Sequence, residues 1–172
     1  MRPRLLTCFA VATLAVFTFI SCQKDEDNTT QLSIHLTDSP FDATEVNVDI
    51  REVTVKMNDN EPESWTTLHT KAGVYNLLDF QNGIDTVLAT GLVPTGPLKE
   101  VRFILGSNNS ITIDNVNYPL TVPSGSESGL KIKIDKQLRT SVDSLLIDFD
   151  AALSIHQTGN GKYILQPVLK VK

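Results

Sequence analysis

An all-β fold, an antiparallel sandwich or barrel, is what the sequence predicts from Leu32 to Lys172, and three observations predict it. Apolar residues recur at every second position rather than at helical spacing, β-branched residues are abundant, and turn signals separate the runs. About eight or nine short strands result, a pattern that belongs to sandwiches and barrels. The 141 residues from Leu32 onward are the size of one domain with one core. Aromatics make up 6% of the chain and no Cys…Trp…Cys framework is present, so an aliphatic core is expected.

Each element has its own signal. LSIHL puts Leu32, Ile34 and Leu36 on one face, and EVNVDI does the same for Val46, Val48 and Ile50. VTVKM continues the alternation at Val53, Val55 and Met57, one residue out of phase, which predicts a bulge near Arg51-Glu52. Asn58 to Ser64 is a turn-rich loop and Trp65 to Leu68 a further strand. VYNLLDF is apolar without clean alternation, Asn82-Gly83 marks a turn, and Leu77 to Leu88 reads equally as strand or helical turn. GLVPTGP, residues 91 to 97, reads as loop, with two prolines and two glycines. Val101, Phe103 and Leu105 define a strand, and ITIDNVNYPL a hairpin turning on Asp114-Asn115. In LKIKIDK the isoleucines face one way and Lys131, Lys133 the other, so the lysines are an outward strand face rather than a basic patch. SLLIDFD is a strand, AALSIH a candidate helical turn, and KYILQPVLKVK a last strand in which Pro167 requires an edge or a bulge.

The start of the chain carries a different message. Arg2 and Arg4 precede an uncharged apolar segment, Leu5 to Ile20, the layout of a secretory signal peptide. At the helical rise it reaches about 24 Å, short of the ~30 Å that a permanent span must cross. Phe19-Ile20-Ser21-Cys22 is similar to a bacterial lipobox, in which the cysteine is acylated and becomes the new N-terminus. Several acyl chains at about 0.8 kcal/mol per buried methylene hold a protein on a membrane where one does so marginally. The only other cysteine, Cys8, falls within the leader, so an acylated Cys22 needs no partner; the competing reading is an ordinary secreted thiol. Gln23, Lys24, Asp25, Glu26 and Asp27 resemble the export signal that sends Bacteroidetes-type lipoproteins to the outer face of the outer membrane. Asp25 to Gln31 reads as a spacer. The organisation is then 1–21 signal peptide, 22–31 anchor and acidic tether, and 32–172 sandwich domain.

Loss of Arg2 and Arg4 with the leader leaves 13 basic and 20 acidic residues, a net charge of −7. Such a surface repels phosphate backbones, which argues against nucleic acid as a partner.

LTDSP (36–40), Gly91-Leu92-Val93-Pro94 before VRFIL, VPSG (122–125), LLIDFDAA (145–152) and GNGKYILQPVLKV (159–171) stand in an order and spacing that carry a likeness. Over essentially all of Leu32 to Lys172 the chain resembles the bacterial lipoprotein domain family known as domain of unknown function 4382. The resemblance implies a Greek-key, transthyretin-like sandwich on a secreted, usually lipid-anchored protein, and implies no particular activity. Pro94-Thr95-Gly96-Pro97 departs from the family pattern, and Pro97 should delay strand pairing to about Lys99.

Candidate chemistry is sparse. His35, His69 and His156 are not at ligand spacing with one another, and His35 falls on the polar face of its strand. Asp148 and Asp150 share a strand face, and Asp38 and Asp42 flank a proline loop; together they are weak candidates for a calcium site. The simpler reading has Asp38 and Asp42 capping a turn and Asp148 and Asp150 on a solvated or hydrogen-bonded face. Asn58 to Glu61 lacks the glycine and distal acid of a calcium loop. Ser124 and Ser126 lack a nucleophile elbow, and no carboxylate pair stands out as glycosidic. Trp65, Tyr75, Tyr118 and Tyr163 are the available aromatic platforms, though such residues commonly pack sandwich edges.

The expected protein is therefore non-enzymatic, without cofactor, held on the membrane through Cys22 and presenting an interaction or accessory module to a protein or glycan. The alternatives are an envelope hydrolase with a loop-built acidic site, and a structural part that accepts a donated strand on a free sheet edge.

Overall fold

The computed structural model describes residues 28–57, 65–123, 129–139 and 141–172. Cys22, the stretch from Gln23 to Asp27, Asn58 to Glu61, Ser124 and Ser126 lie outside them. Two mixed sheets pack face to face around one aliphatic core, a sandwich rather than the barrel that the alternation equally allows. In chain order the strands are β1 (Thr29–Thr37), β2 (Glu45–Lys56), β3 (Trp65–Thr67), β4 (His69–Thr70), β5 (Gly73–Asn76), β6 (Thr86–Pro94) and β7 (Gly96–Leu105). There follow β8 (Ser110–Ile113), β9 (Val116–Thr121), β10 (Leu130–Leu138), β11 (Val142–Phe149), β12 (Ile155–Gln157), β13 (Tyr163–Leu165) and β14 (Leu169–Val171). A 3₁₀ turn at Leu77–Phe80 resolves the ambiguous apolar run, and α1 (Ala151–Ser154) is the expected helical turn.

The smaller sheet has the order β14-β11-β1-β6-β4, with β1 in the middle. The larger runs β10-β7-β2-β8-β9-β13-β12, with β3 and β5 also paired to β2. Strand β2 is the spine of the larger sheet, and its ladder to β7 slips between Ile50 and Glu52, the bulge that the phase change demands. The hairpin β8–β9 turns on Asp114 and Asn115, both with positive φ (50° and 64°), the pair of left-handed residues that a tight two-residue turn requires. Leu32, Ile34 and Leu36 of β1 and Leu145, Ile147 and Phe149 of β11 face Val48, Ile50, Val53 and Val55 of β2 and Val101 and Phe103 of β7, all buried. Each fully buried aliphatic or aromatic side chain contributes roughly 1.5–3 kcal/mol.

Five expectations need correction. Pairing is antiparallel for most neighbours, but β1–β11 and β13–β9 are parallel. The chain crosses to the larger sheet between β6 and β7 and returns between β10 and β11, arriving on the free side of β1 and running the same way. Residues 91–97 are not a loop: β6 continues through Pro94 and β7 starts at Gly96, leaving Thr95 as the corner between sheets. Gly96 has φ +135°, a backbone that other residues adopt only under strain, and the Thr95 N–H donates to Asn28 O at 2.8 Å. Pro97 does not delay β7; there β10 lies on one side and the pairing with β2 has stopped at Glu100, so a missing N–H is tolerated. Thr29, Thr30 and Gln31 are part of β1 rather than of a spacer. Finally, Pro167 divides the last run into β13 in the larger sheet and β14 in the smaller one, so the strands exceed the eight or nine expected.

Candidate functional site

The parallel pairing of β1 and β11 brings their C-terminal ends together, with Thr37 opposite Asp148. Three of the four aspartates singled out in the sequence therefore meet at one end of the smaller sheet. Asp38 follows β1 directly, Asp148 is the last outward residue of β11, and Asp150 stands just beyond it. They are 2%, 1% and 5% exposed, whereas Asp42 is out in solvent and joins nothing. All three are buried, so the oxygen partners decide what they do.

Asp38 Oδ1 accepts from the Ala151 N–H at 3.0 Å and its Oδ2 from Gln81 Nε2 at 3.2 Å. Asp148 Oδ2 accepts from Ser39 Oγ at 2.9 Å and pairs with Lys172 Nζ at 3.0 Å; its Oδ1 is buried with no hydrogen-bond partner among the described residues. Asp150 caps α1 by accepting from the Leu153 N–H at 3.0 Å, and its Oδ2 meets Lys170 Nζ at 2.6 Å. Burial pushes the Asp38 carboxyl above its ordinary range and the charge of Asp148 adds to this, outweighing the hydrogen bonds from Ala151, Gln81 and Ser39. Burial also pushes Asp150 up, but the Lys170 and Leu153 hydrogen bonds and the charges of Lys170 and Lys172 outweigh it and hold the group below that range.

Chemically this is a clamp. It ties the segment after β1, the residue after the 3₁₀ turn, α1 and β14 to the end of β11, and two lysines balance most of three carboxylates. Ser154, fully buried, extends it: its Oγ donates to Asp150 O at 2.5 Å and accepts from the Val168 N–H at 2.8 Å, while its carbonyl takes the Gln166 N–H. Proton transfer to a substrate needs a carboxylate within hydrogen-bond reach of it; apart from the buried Asp148 Oδ1, the oxygens described above are bonded to protein groups. Among the described residues no group of three or more His, Cys, Asp or Glu is placed to hold a metal ion.

The histidines remain apart. His35 Nδ1 lies 2.5 Å from Asp85 Oδ1, and His69 and His156 are exposed on different sheets. Of the aromatic platforms, Tyr118 packs on Tyr163 at 5.1 Å between centroids and Tyr75 on Phe80 at 6.2 Å. Trp65 is covered by the Arg102 guanidinium, 3.7 Å from the ring centroid. Two concavities lie elsewhere: one of about 430 Å³ beside the Lys99–Asp135 ion pair, and one of about 360 Å³ bordered by Pro123, Leu130, Leu165 and Pro167. Neither is lined by the aspartates.

Sequence reasoning missed a fourth buried carboxylate, away from the other three. Asp49, on the outward phase of β2, is fully buried because residues 106–109 bulge over it between β7 and β8. Arg51 Nη2 donates to its Oδ2 at 2.7 Å while Nε approaches Oδ1 to 2.7 Å as an ion pair without a hydrogen bond, the Asn108 N–H donates to Oδ2 at 3.1 Å, and Asn109 Oδ1 accepts from the Asp49 N–H. The only sequence sign is an acid inside an apolar alternation with an arginine two residues on.

A family model described as "Domain of unknown function (DUF4382)" matches residues 29–167. No curated protein and no solved structure matches the chain.

Proposed function

The chain belongs to the family described as domain of unknown function DUF4382, and from that premise we propose that it is a lipid-anchored envelope protein whose sandwich serves as a non-enzymatic interaction or accessory module for a protein or glycan. The observation that carries this reading is Cys22, standing at the end of an apolar leader and separated by only six residues from the start of β1. Acylation there fixes the domain to a membrane. Gln23 to Asp27 supply the acidic address that sends it to the outer membrane, facing the cell exterior.

Support for the non-enzymatic part comes from the aspartates. A hydrolase built on Asp38, Asp148 and Asp150 needs them converging on an open cleft, and they are buried in bonds to backbone, amide, hydroxyl and lysine. Protease accessibility of the domain on intact cells tests the reading. The wild-type domain is expected to be cleaved from outside, the Cys22→Ala protein to leave the membrane fraction, and a protein with alanines at Lys24 to Asp27 to be shielded. Turnover on a hydrolase panel that disappears in Asp148→Asn would overturn the non-enzymatic part.

A further inference from the structure

The two outer faces of the sandwich differ in charge. On the larger sheet, cross-strand rows read Lys131, Arg102, Thr54 and Lys133, Glu100, Lys56. On the smaller sheet, the rows nearest the start of β1 read Leu92, Gln31, Val142 and Thr90, Ser33, Ser144, without one formal charge. One residue in five of the chain is charged, so a neutral face across three neighbouring strands is a departure from the rest of the surface. Leu92 and Val142, 66% and 67% exposed, flank Gln31 on it and are the most exposed large apolar side chains among the described residues. Arg139, three residues before Val142 in the chain, is exposed between β10 and β11.

The chain also enters the smaller sheet at this end of β1. β1 is the middle strand of the smaller sheet, and Thr29 follows Cys22 by seven residues, a chain length that spans at most about 25 Å when fully extended. β1 itself, nine residues long, runs about 30 Å. An anchor at Cys22 therefore keeps the Thr29 end, with Leu92 and Val142, closest to the lipid, and the aspartate clamp at the far end away from it. The Asp143 carboxylate next to Val142 is taken up by Lys136 Nζ at 2.8 Å, so exposed apolar side chains and neutral cross-strand rows remain to suit an interface of acyl chains and phosphate headgroups.

We infer that the outer face of the smaller sheet around Leu92, Gln31 and Val142 is laid against the bilayer that holds the acyl chains, leaving the charged face of the larger sheet turned outward. The inference rests on the anchor reading above and deepens it.

The mature chain contains no cysteine besides the acylated one, so single thiols report position cleanly. Purified acylated protein carrying Leu92→Cys, Val142→Cys, Ile84→Cys or Lys131→Cys, each labelled with an environment-sensitive fluorophore, is reconstituted into vesicles of phosphatidylethanolamine and phosphatidylglycerol containing a nitroxide lipid. Ile84 is exposed at the far end of β1, where its carbonyl accepts from Thr37 Oγ1, and Lys131 lies on the opposite face. Labels at 92 and 142 are expected to shift to the blue and be quenched by the nitroxide, and those at 84 and 131 to stay as in water. Equal exposure of all four on protein whose intact mass shows an acylated Cys22 overturns the inference and leaves the anchor standing. Shielding of 92 and 142 by self-association without vesicles also overturns it, assigning the face to a second copy. An unmodified mass at Cys22 overturns the anchor reading and this inference with it.

Discussion

At Asp38 burial and charge act on a carboxylate that nevertheless holds two loops, and the consequence is a pH dependence of definite sign. Its folded pKa lies above the ordinary 3.8, so between the two values the folded chain keeps a proton that the unfolded chain has lost. Stability contributed at this position therefore falls as pH rises through that window. Asp143 and Asp150 are held below 3.8, Asp143 by the Lys136 hydrogen bond and Asp150, against its burial, by Lys170. Their contribution is present above 3.8 and is lost only as pH falls through the depressed values, so the two effects separate along the pH axis. Asp38→Asn keeps an oxygen for the Ala151 N–H and is expected to match or exceed wild type in urea midpoint at neutral pH, while its advantage shrinks as pH falls toward about 4. A wild-type midpoint that drops relative to Asp38→Asn on acidification contradicts this. Gly106 makes the second residue-level case. A Cβ there would stand 2.2 Å from Asp49 Oδ2 and 2.6 Å from Arg51 Nε, so Gly106→Ala is expected to cost about 1–3 kcal/mol by chemical denaturation.

Turns and crossovers decide the elements. Asn115 sits at φ 64°, so Asn115→Gly should leave stability unchanged or slightly raised, whereas Asn115→Val should cost about 1–2 kcal/mol, read from thermal midpoints. Ser154→Ala removes the acceptor for the Val168 N–H where the chain passes from β13 to β14, at an expected cost of about 1–3 kcal/mol. Elements governed by neighbours in sequence were legible: the slip after Ile50, the Asp114-Asn115 turn and the lysine face of β10 all follow from period two. Elements governed by distant pairing were not. Gly91 to Pro97 has loop composition, yet β1 and β10 are there to pair it, and only those partners make strand the outcome. The aspartates were legible as a set, because two share LLIDFD and one follows LSIHLT, but their joining depends on the parallel register of β1 and β11. Asp49 was illegible because what buries it comes from residues 106–109, far along the chain.

For the molecule as a whole, one core shared by two sheets means that neither sheet is stable without the other. Phe103→Ala in the larger sheet should cost about 3–5 kcal/mol and Ile147→Ala in the smaller one about 2–5, and both should move a single transition seen alike by Trp65 fluorescence and by circular dichroism. Separate midpoints for the two probes would show that the sheets unfold independently. The central place of β1 has a mechanical side as well. It is hydrogen-bonded to β6 on one flank and β11 on the other for almost its whole length. A pull on the chain ahead of Thr29, directed along the strand, tries to slide β1 past both partners at once, and every bond in the two ladders resists together. The same pull on β14, three residues with one neighbour, opens its bonds one after another. Tension applied to the chain ahead of Thr29 thus arrives at the strand of the smaller sheet that is hardest to draw out.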